Sequence, residues 1–131
     1  MGRMGVAAPS RPFSGRPLEL GREGERVAAA LLRSHGFAIA GAGFRARRGE
    51  LDLICRRGNA LFIVEVKTRT DDAFGAPLEA VGSRKRRALM SAASEYRALT
   101  EWRGPIRYAV VGLTLRTDGR FDAELIEDPF E

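Results

Sequence analysis

Apolar residues recur along the chain with two different periods, and these periods predict two helices and five strands. Spacings of three and four predict a first helix over about residues 19–35 and a second over 83–99. Alternating or continuous apolar runs predict three strands before the second helix and two after it, at 37–45, 50–56, 60–68, 106–115 and 120–126. The strand–helix–strand unit over 60–115 implies a parallel crossover. The predicted class is therefore α/β, a mixed β-sheet flanked by helices.

Each predicted helix has an inward face and at least one residue of special interest. The inward stripe of the first helix is apolar throughout: Val27, Ala28, Leu31 and Leu32. The second helix is expected to bury a longer stripe: Leu89, Ala92, Tyr96 and Leu99. Gly36 is the expected end of the first helix. Glu25 leans toward the inward stripe, and the small residues Gly21 and Gly24 beside it would let the helix approach the sheet closely.

The chain is expected to form one domain over residues 18–131, preceded by a flexible extension over residues 1–17. That extension contains arginines but no apolar core of a secretory signal, and no apolar run in the chain reaches transmembrane length. The single cysteine, Cys55, excludes an intramolecular disulfide and a cysteine-built zinc site. A cytoplasmic location fits this cysteine usage.

A hairpin is predicted between the second and third strands. Gly58 and Asn59 form the centre of a two-residue turn, and both tolerate positive φ. A two-residue turn fixes the register, so Ile54 is expected to face Ile63, with the neighbouring pairs following in order.

In that register four charged residues fall on one face near the open end of the hairpin: Glu50, Asp52, Glu65 and Lys67. Asp52 lies opposite Glu65, at a β-carbon separation of about 5 Å where like charges repel, and Glu50 lies opposite Lys67. Two converging carboxylates need a cation, a shared proton or solvent. Mg²⁺ fits well because it binds one or two carboxylates together with waters and phosphates. The alternative is a solvated charge ladder in which Lys67 neutralises both acids.

The net charge of +5 is unevenly spread along the chain. The last fourteen residues hold six acids and one base, so residues 1–117 carry +10. An excess of this size suits a polyanionic partner, although an arginine-rich composition would also produce it. Only two of the 22 bases are lysines, Lys67 and Lys85. Lysine is a compact point charge that arginine does not replace in a tight site.

An acid, a hairpin and then Glu-x-Lys resembles the PD-(D/E)XK nuclease superfamily, which has the restriction-endonuclease-like fold. More narrowly, "GREGERVAAALLRSHGF", "RRGELDLI", "FIVEVKTR" and "FGAPLEAV…K" together resemble the YraN family of endonuclease-like proteins. The resemblance covers roughly residues 19–112. It implies that Asp52 and Glu65, with the carbonyl of Val66, bind Mg²⁺ or Mn²⁺. It also implies Lys67 beside the attacking water and Glu25 as the acid on the first helix.

The activity implied by this resemblance is metal-dependent hydrolysis of phosphodiester bonds in nucleic acid, with DNA favoured over RNA. The bases expected to bind the nucleic-acid backbone are Lys85, Arg84, Arg86 and Arg69. Two alternatives stay open: a binding module for structured nucleic acid that does not cut, or cuts only with a partner, and a Holliday-junction-type resolvase, which would be a symmetric homodimer. For Glu25 the alternative is a solvated glutamate in an early helical turn, and for Lys85 a long side chain lying over the edge of the core.

Overall fold

The computed structural model describes residues 3–7, 17–70 and 82–130, and the statements below refer to these parts of the chain. Six strands and two helices follow one another in this order: β1 (Arg3–Ala7), α1 (Pro17–Ser34), β2 (Ala38–Arg45), β3 (Glu50–Arg57), β4 (Ala60–Thr70), α2 (Ser83–Thr100), β5 (Ile106–Leu115) and β6 (Phe121–Glu127). From α1 onward this is the predicted order of one helix, three strands, one helix and two strands, which is therefore confirmed.

All six strands form one mixed sheet in the order β1-β6-β5-β4-β3-β2. The β4–β5 pair is parallel and the other pairs are antiparallel, so the predicted parallel crossover through α2 is confirmed. β1 is a strand that the sequence patterns did not predict; its backbone pairs with β6 at the sheet edge. The predicted flexible extension over residues 1–17 contains this strand, and residues 8–16 of it lie outside the described residues.

The helices cover opposite faces of the sheet. Val27, Ala28, Leu31 and Leu32 of α1 are all buried in one core with one face of the strands, as predicted. On the other face α2 buries Leu89, Ala92 and Ala93, with Tyr96 packed against them. Neither helix in these parts of the chain is apolar enough along its length to cross a membrane.

The prediction that Leu99 faces inward is wrong, because its side chain is 72% exposed. At about 100° per residue, Leu99 lies about 70° from the centre of the buried stripe of α2, in the last turn. Ala93, on the opposite side of the stripe, is buried instead.

Glycines end α1 and turn the β3–β4 hairpin. Gly36 has φ +85°, and the N–H of Phe37 donates to the carbonyl of Leu32 across it, so the predicted end of the helix is confirmed. In the hairpin Gly58 has φ +62°, whereas Asn59 keeps negative φ, which is the pattern of a type II′ turn. Both residues tolerate positive φ and only Gly58 of the two adopts it; the predicted register is confirmed, since Ile54 pairs with Ile63.

Candidate functional site

The two strands of the hairpin part at the residues that carry the acids. Their paired residues run from the turn to Leu53 and Val64 and go no further within these two described strands. At the next step the backbone N–H of Val66 donates to Oδ2 of Asp52 at 2.8 Å. Asp52 is therefore beside Glu65 and Val66, as the register predicted, but its carboxylate replaces a backbone acceptor instead of forming a ladder pair.

The regular alternation of faces also breaks at Asp52. Leu51 and Ile54 both pack in the core under α2, whereas Leu53 packs in the core under α1. The prediction that all four charged residues share one face of the sheet is therefore wrong for Glu50. This residue is exposed and pairs with Arg45 of β2 instead of Lys67.

Glu65 is the chemically unusual residue of the site. It is only 8% exposed, and its Oε2 is buried without a hydrogen-bond partner among the described residues. Burial raises the pKa of Glu65 to about 7, repulsion from Asp52 adds to the rise, and Lys85 partly offsets it. Near neutral pH this carboxyl therefore holds a proton for much of the time, a state that a bound cation would replace.

The cation that contacts Glu65 comes from α2 and not from the adjacent strand. Nζ of Lys85 lies 3.4 Å from Oε1 of Glu65, and the lysine side chain is half exposed. Lys67 is half-buried on β4 and forms no ion pair with a carboxylate of the described segments. The charge-ladder alternative required Lys67 to neutralise the acids, and the structure gives that contact to Lys85.

α1 approaches the sheet at Gly24 and brings Glu25 toward the same acids. A β-carbon on Gly24 would lie 2.6 Å from Oγ1 of Thr68, so any larger residue would force the Thr68 side chain to move, whereas Gly21 has no neighbour within 4 Å. Glu25 is half-buried, and burial followed by the charges of Asp52 and Glu50 raises the pKa of Glu25. The third carboxylate of the expected site is thus within electrostatic range of Asp52.

The bases predicted to bind nucleic acid fall in two places. Arg84, Lys85 and Arg86 are exposed in the first turn of α2, where the guanidinium of Arg86 lies 5.1 Å from the ring centre of Phe130. Arg69 is half-buried on β4 and donates to Oγ1 of Thr114 at 3.2 Å. The contact of Lys85 with Glu65 places the first group beside the acid pair.

The acid pair has the chemistry of a site for a hard divalent cation. Among the described residues no three His, Cys, Asp or Glu side chains form a metal-binding group. A cation here would therefore use Asp52, Glu65 and the carbonyl of Val66, with solvent or phosphate oxygens completing the shell, a set that Mg²⁺ commonly accepts. The buried oxygen of Glu65 without a partner fits such a ligand set.

Comparison with known proteins gives a consistent family assignment. The model of UPF0102, described as an uncharacterised protein family, matches residues 24–126. A UPF0102 protein of Symbiobacterium thermophilum is 41% identical over 112 residues, 85% of this chain and 95% of the relative. Another, from Leifsonia xyli, is 42% identical over 72% of this chain and 81% of its own length. A third, from Anaeromyxobacter dehalogenans, is 51% identical over 59% of this chain and 58% of its own length.

Proposed function

The chain belongs to the UPF0102 family, which is the YraN family, and we propose that it is a metal-dependent nuclease that hydrolyses phosphodiester bonds in nucleic acid, DNA in preference to RNA. The observation that carries the proposal is the buried carboxylate of Glu65, which lacks a hydrogen-bond partner on Oε2 and lies beside Asp52. A strongly raised pKa produced by burial and by a second acid is typical of a site that performs chemistry.

A purely structural role explains this arrangement poorly. A buried polar atom without a partner costs about 1–3 kcal/mol, and the repulsion between two acids adds to that cost. A lysine that is half exposed compensates only part of it. A role for the acid pair in binding a cation accounts for the two carboxylates and the free oxygen together.

In the proposed reaction Asp52, Glu65 and the Val66 carbonyl would hold the metal, and the N–H of Val66 fixes the orientation of the Asp52 carboxylate. When bound, Mg²⁺ would act as a Lewis acid that polarises the phosphodiester and lowers the pKa of the water bound to it. Lys67 orients the attacking water and stabilises the negative charge that develops on the phosphate. Lys85, half exposed beside Glu65, contacts the phosphate from the side of α2.

The test is a panel of labelled single-stranded, duplex, flapped and four-way DNA and RNA, each incubated with Mg²⁺, with Mn²⁺ and with chelator. We expect cleavage of at least one DNA substrate with either metal and none with chelator. Binding that ignores metal, with no cleavage anywhere on the panel, would contradict the nuclease proposal and favour the binding module. Symmetric cleavage confined to the four-way junction would narrow the activity to a resolvase.

A further inference from the structure

The turn between β2 and β3 carries three exposed arginines, Arg45, Arg47 and Arg48. The N–H of Ala46 donates to the carbonyl of Gly49 at 2.8 Å and closes the turn. We call residues 45–49 the basic turn. Asp52 follows three residues after Gly49 on the same strand, so the basic turn lies at the end of the sheet that holds the acid pair.

The basic turn is fixed against α2 at three points. The backbone N–H of Arg47 donates to Oε2 of Glu95 at 2.9 Å. A β-carbon on Gly49 would lie 3.7 Å from Cβ of Ala88, so the turn packs directly on the helix. Just before the turn, the ring of Phe44 meets that of Tyr96 edge-to-face, with ring centres 5.2 Å apart. The backbone of the basic turn is therefore held in place by a helix.

The guanidinium groups of the basic turn have no carboxylate partners within the described segments, in contrast to four arginines elsewhere. Several arginines in other regions form ion pairs: Arg26 with Glu23, Arg57 with Glu127, Arg107 with Asp128, and Arg116 with Asp118. Within the described segments Arg45, Arg47 and Arg48 form no ion pair with any carboxylate. Glu95, the acid beside them, accepts a backbone N–H instead.

The contact of Gly49 with Ala88 joins two basic elements. Ala88 directly follows four exposed bases of α2, Arg84 to Arg87, and Lys85 among them touches Glu65. The basic turn and the first turn of α2 thus form one positive surface that borders the acid pair. Exposed, unpaired arginines on a rigid support suit the oxygens of successive phosphates.

We propose that the basic turn binds the phosphodiester backbone of the nucleic acid away from the bond that is cut. From Arg48 to Asp52 the strand spans at most about 14 Å, which equals the rise of about four base-pair steps along the axis of B-form DNA. This inference rests on the proposed function for the position of the cut bond. It adds a second contact region, which holds the substrate without taking part in the reaction.

The test is a binding titration of Arg47→Gln/Arg48→Gln in the full chain, with chelator present so that nothing is cut. The probes are a 20-base-pair duplex and one of its single strands, each at several salt concentrations. The matched control is Arg33→Gln/Arg103→Gln, which removes the same charge from exposed positions outside this surface. We expect affinity for at least one probe to fall about tenfold, and the slope of log K against log salt to fall by about 1.8 for duplex, because two phosphate contacts are lost.

A second variant distinguishes two explanations for binding: a turn held in a fixed position, and the net positive charge of the surface alone. Glu95→Ala removes a negative charge, so charge alone predicts tighter binding of both probes. It also removes the acceptor for the N–H of Arg47, so a turn that must be held in place predicts weaker binding. We expect affinity to fall about threefold, with the far-ultraviolet circular dichroism spectrum unchanged.

Equal losses in the turn variant and its control would overturn the inference, and so would tighter binding by Glu95→Ala. In either case metal-dependent cleavage by the wild type would leave the proposed function standing. A wild type that binds neither probe would also overturn the inference, and failure to cleave any substrate would then count separately against the nuclease.

Discussion

Two glutamates are buried in the described parts of the chain: Glu65 lies on β4 at the open end of the hairpin, and Glu127 lies on β6 and contacts Arg57 at the turn end. The charges that surround them differ in sign. Glu65 is 8% exposed and Glu127 is 9% exposed. The carboxylate of Glu127 accepts hydrogen bonds from both terminal nitrogens of the Arg57 guanidinium, and a terminal nitrogen of Arg107 lies 3.8 Å from its Oε1. Glu65 has an aspartate beside it and one lysine that is half exposed.

The partners of Glu127 are themselves well supported. The guanidinium of Arg57 lies over the rings of Phe37 and Phe62, and Arg107 contacts the second of these rings from its own strand. Arg107 also donates to Asp128, and this hydrogen bond lowers the pKa of Asp128. Every charge in this cluster therefore has an opposite charge in contact with it.

The difference teaches how to separate a structural charge cluster from a candidate reactive one. Burial is the same for the two glutamates, so burial alone does not distinguish them. At Glu127 two arginines balance the two carboxylates of Glu127 and Asp128, and every charge has a partner. At Glu65 the negative charge exceeds the positive charge and one oxygen has no partner. The excess of negative charge at Glu65 is unfavourable in the isolated chain and becomes favourable when a cation binds.

The largest effect is expected from Asp52→Ala. Removal of one metal ligand should lower single-turnover cleavage at least about 1,000-fold, since loss of one essential catalytic group commonly costs that much. The melting temperature should change little, because the lost hydrogen bond from Val66 and the relief of repulsion with Glu65 oppose each other. Cleavage close to the wild-type rate would refute the site assignment. A large fall in melting temperature would instead favour a structural role for the acid pair.

At the other end, Arg57→Ala should destabilise the fold by about 3 kcal/mol, because it leaves Glu127 buried with one distant partner and uncovers two aromatic rings. Urea unfolding measures this effect. The rate of cleavage per folded molecule should stay the same. A loss of cleavage without a loss of stability would show that the two ends are not separate in function.

The stability of the metal-free chain should depend on pH through Glu65. Because the pKa of Glu65 rises from its ordinary value of 4.5 to about 7 on folding, the folded state binds more protons than the unfolded state in this interval. The free energy of unfolding should therefore fall as pH rises from 4.5 to 7, by about 2 kcal/mol after allowance for solvent screening.

The matched variant for this effect is Glu65→Gln, whose free energy of unfolding should not fall over this pH interval. From pH 5 to pH 8 the wild type should therefore lose stability relative to Glu65→Gln. Urea unfolding of both proteins in chelator, at the two pH values, measures the difference. Parallel pH profiles would show that Glu65 keeps an ordinary pKa in the folded chain.

The smallest effect is expected from Lys67→Arg, which tests whether the site needs geometry or only charge. A guanidinium is larger and planar, so it should displace the water or the phosphate and lower single-turnover cleavage at least about tenfold. Binding at fixed salt and thermal stability should stay near the wild type. Arg107→Lys at the charge-compensated end is the reciprocal control and should leave cleavage unchanged. Wild-type cleavage by Lys67→Arg would show that any cation serves at this position.

Much of the fold could be predicted because its determinants are local. A two-residue turn at Gly58 sets the hairpin register whatever the rest of the chain does. The apolar spacing of α1 identified its buried residues, and Gly36 marked its end. The prediction that Leu99 faces inward was wrong, because a periodic pattern does not reveal where a helix loses contact with the sheet. β1 was missed because its short sequence has no distinctive alternation.

The candidate site was predictable only where it depends on the hairpin. Asp52 and Glu65 become neighbours once the turn is fixed, and their like charges drew attention to them. The ion pair of Lys85 with Glu65 depends on how α2 lies across the sheet, which no local spacing encodes. The same limit applies to the anchoring of Arg47 by Glu95, 48 residues away along the chain.

The central position of β4 has a consequence for how the protein responds to ligands. Residues 61–64 of β4 have a paired strand on each side and a packed core on each face, so their amide hydrogens should exchange only when the whole domain unfolds. Glu65 directly follows this segment on the same strand. A cation bound there would stabilise the entire molecule by RT ln(1 + [L]/Kd), about 2.7 kcal/mol at one hundred times Kd. The affinity of the site for each metal is thus measurable from slowed exchange across the sheet, before any substrate has been identified.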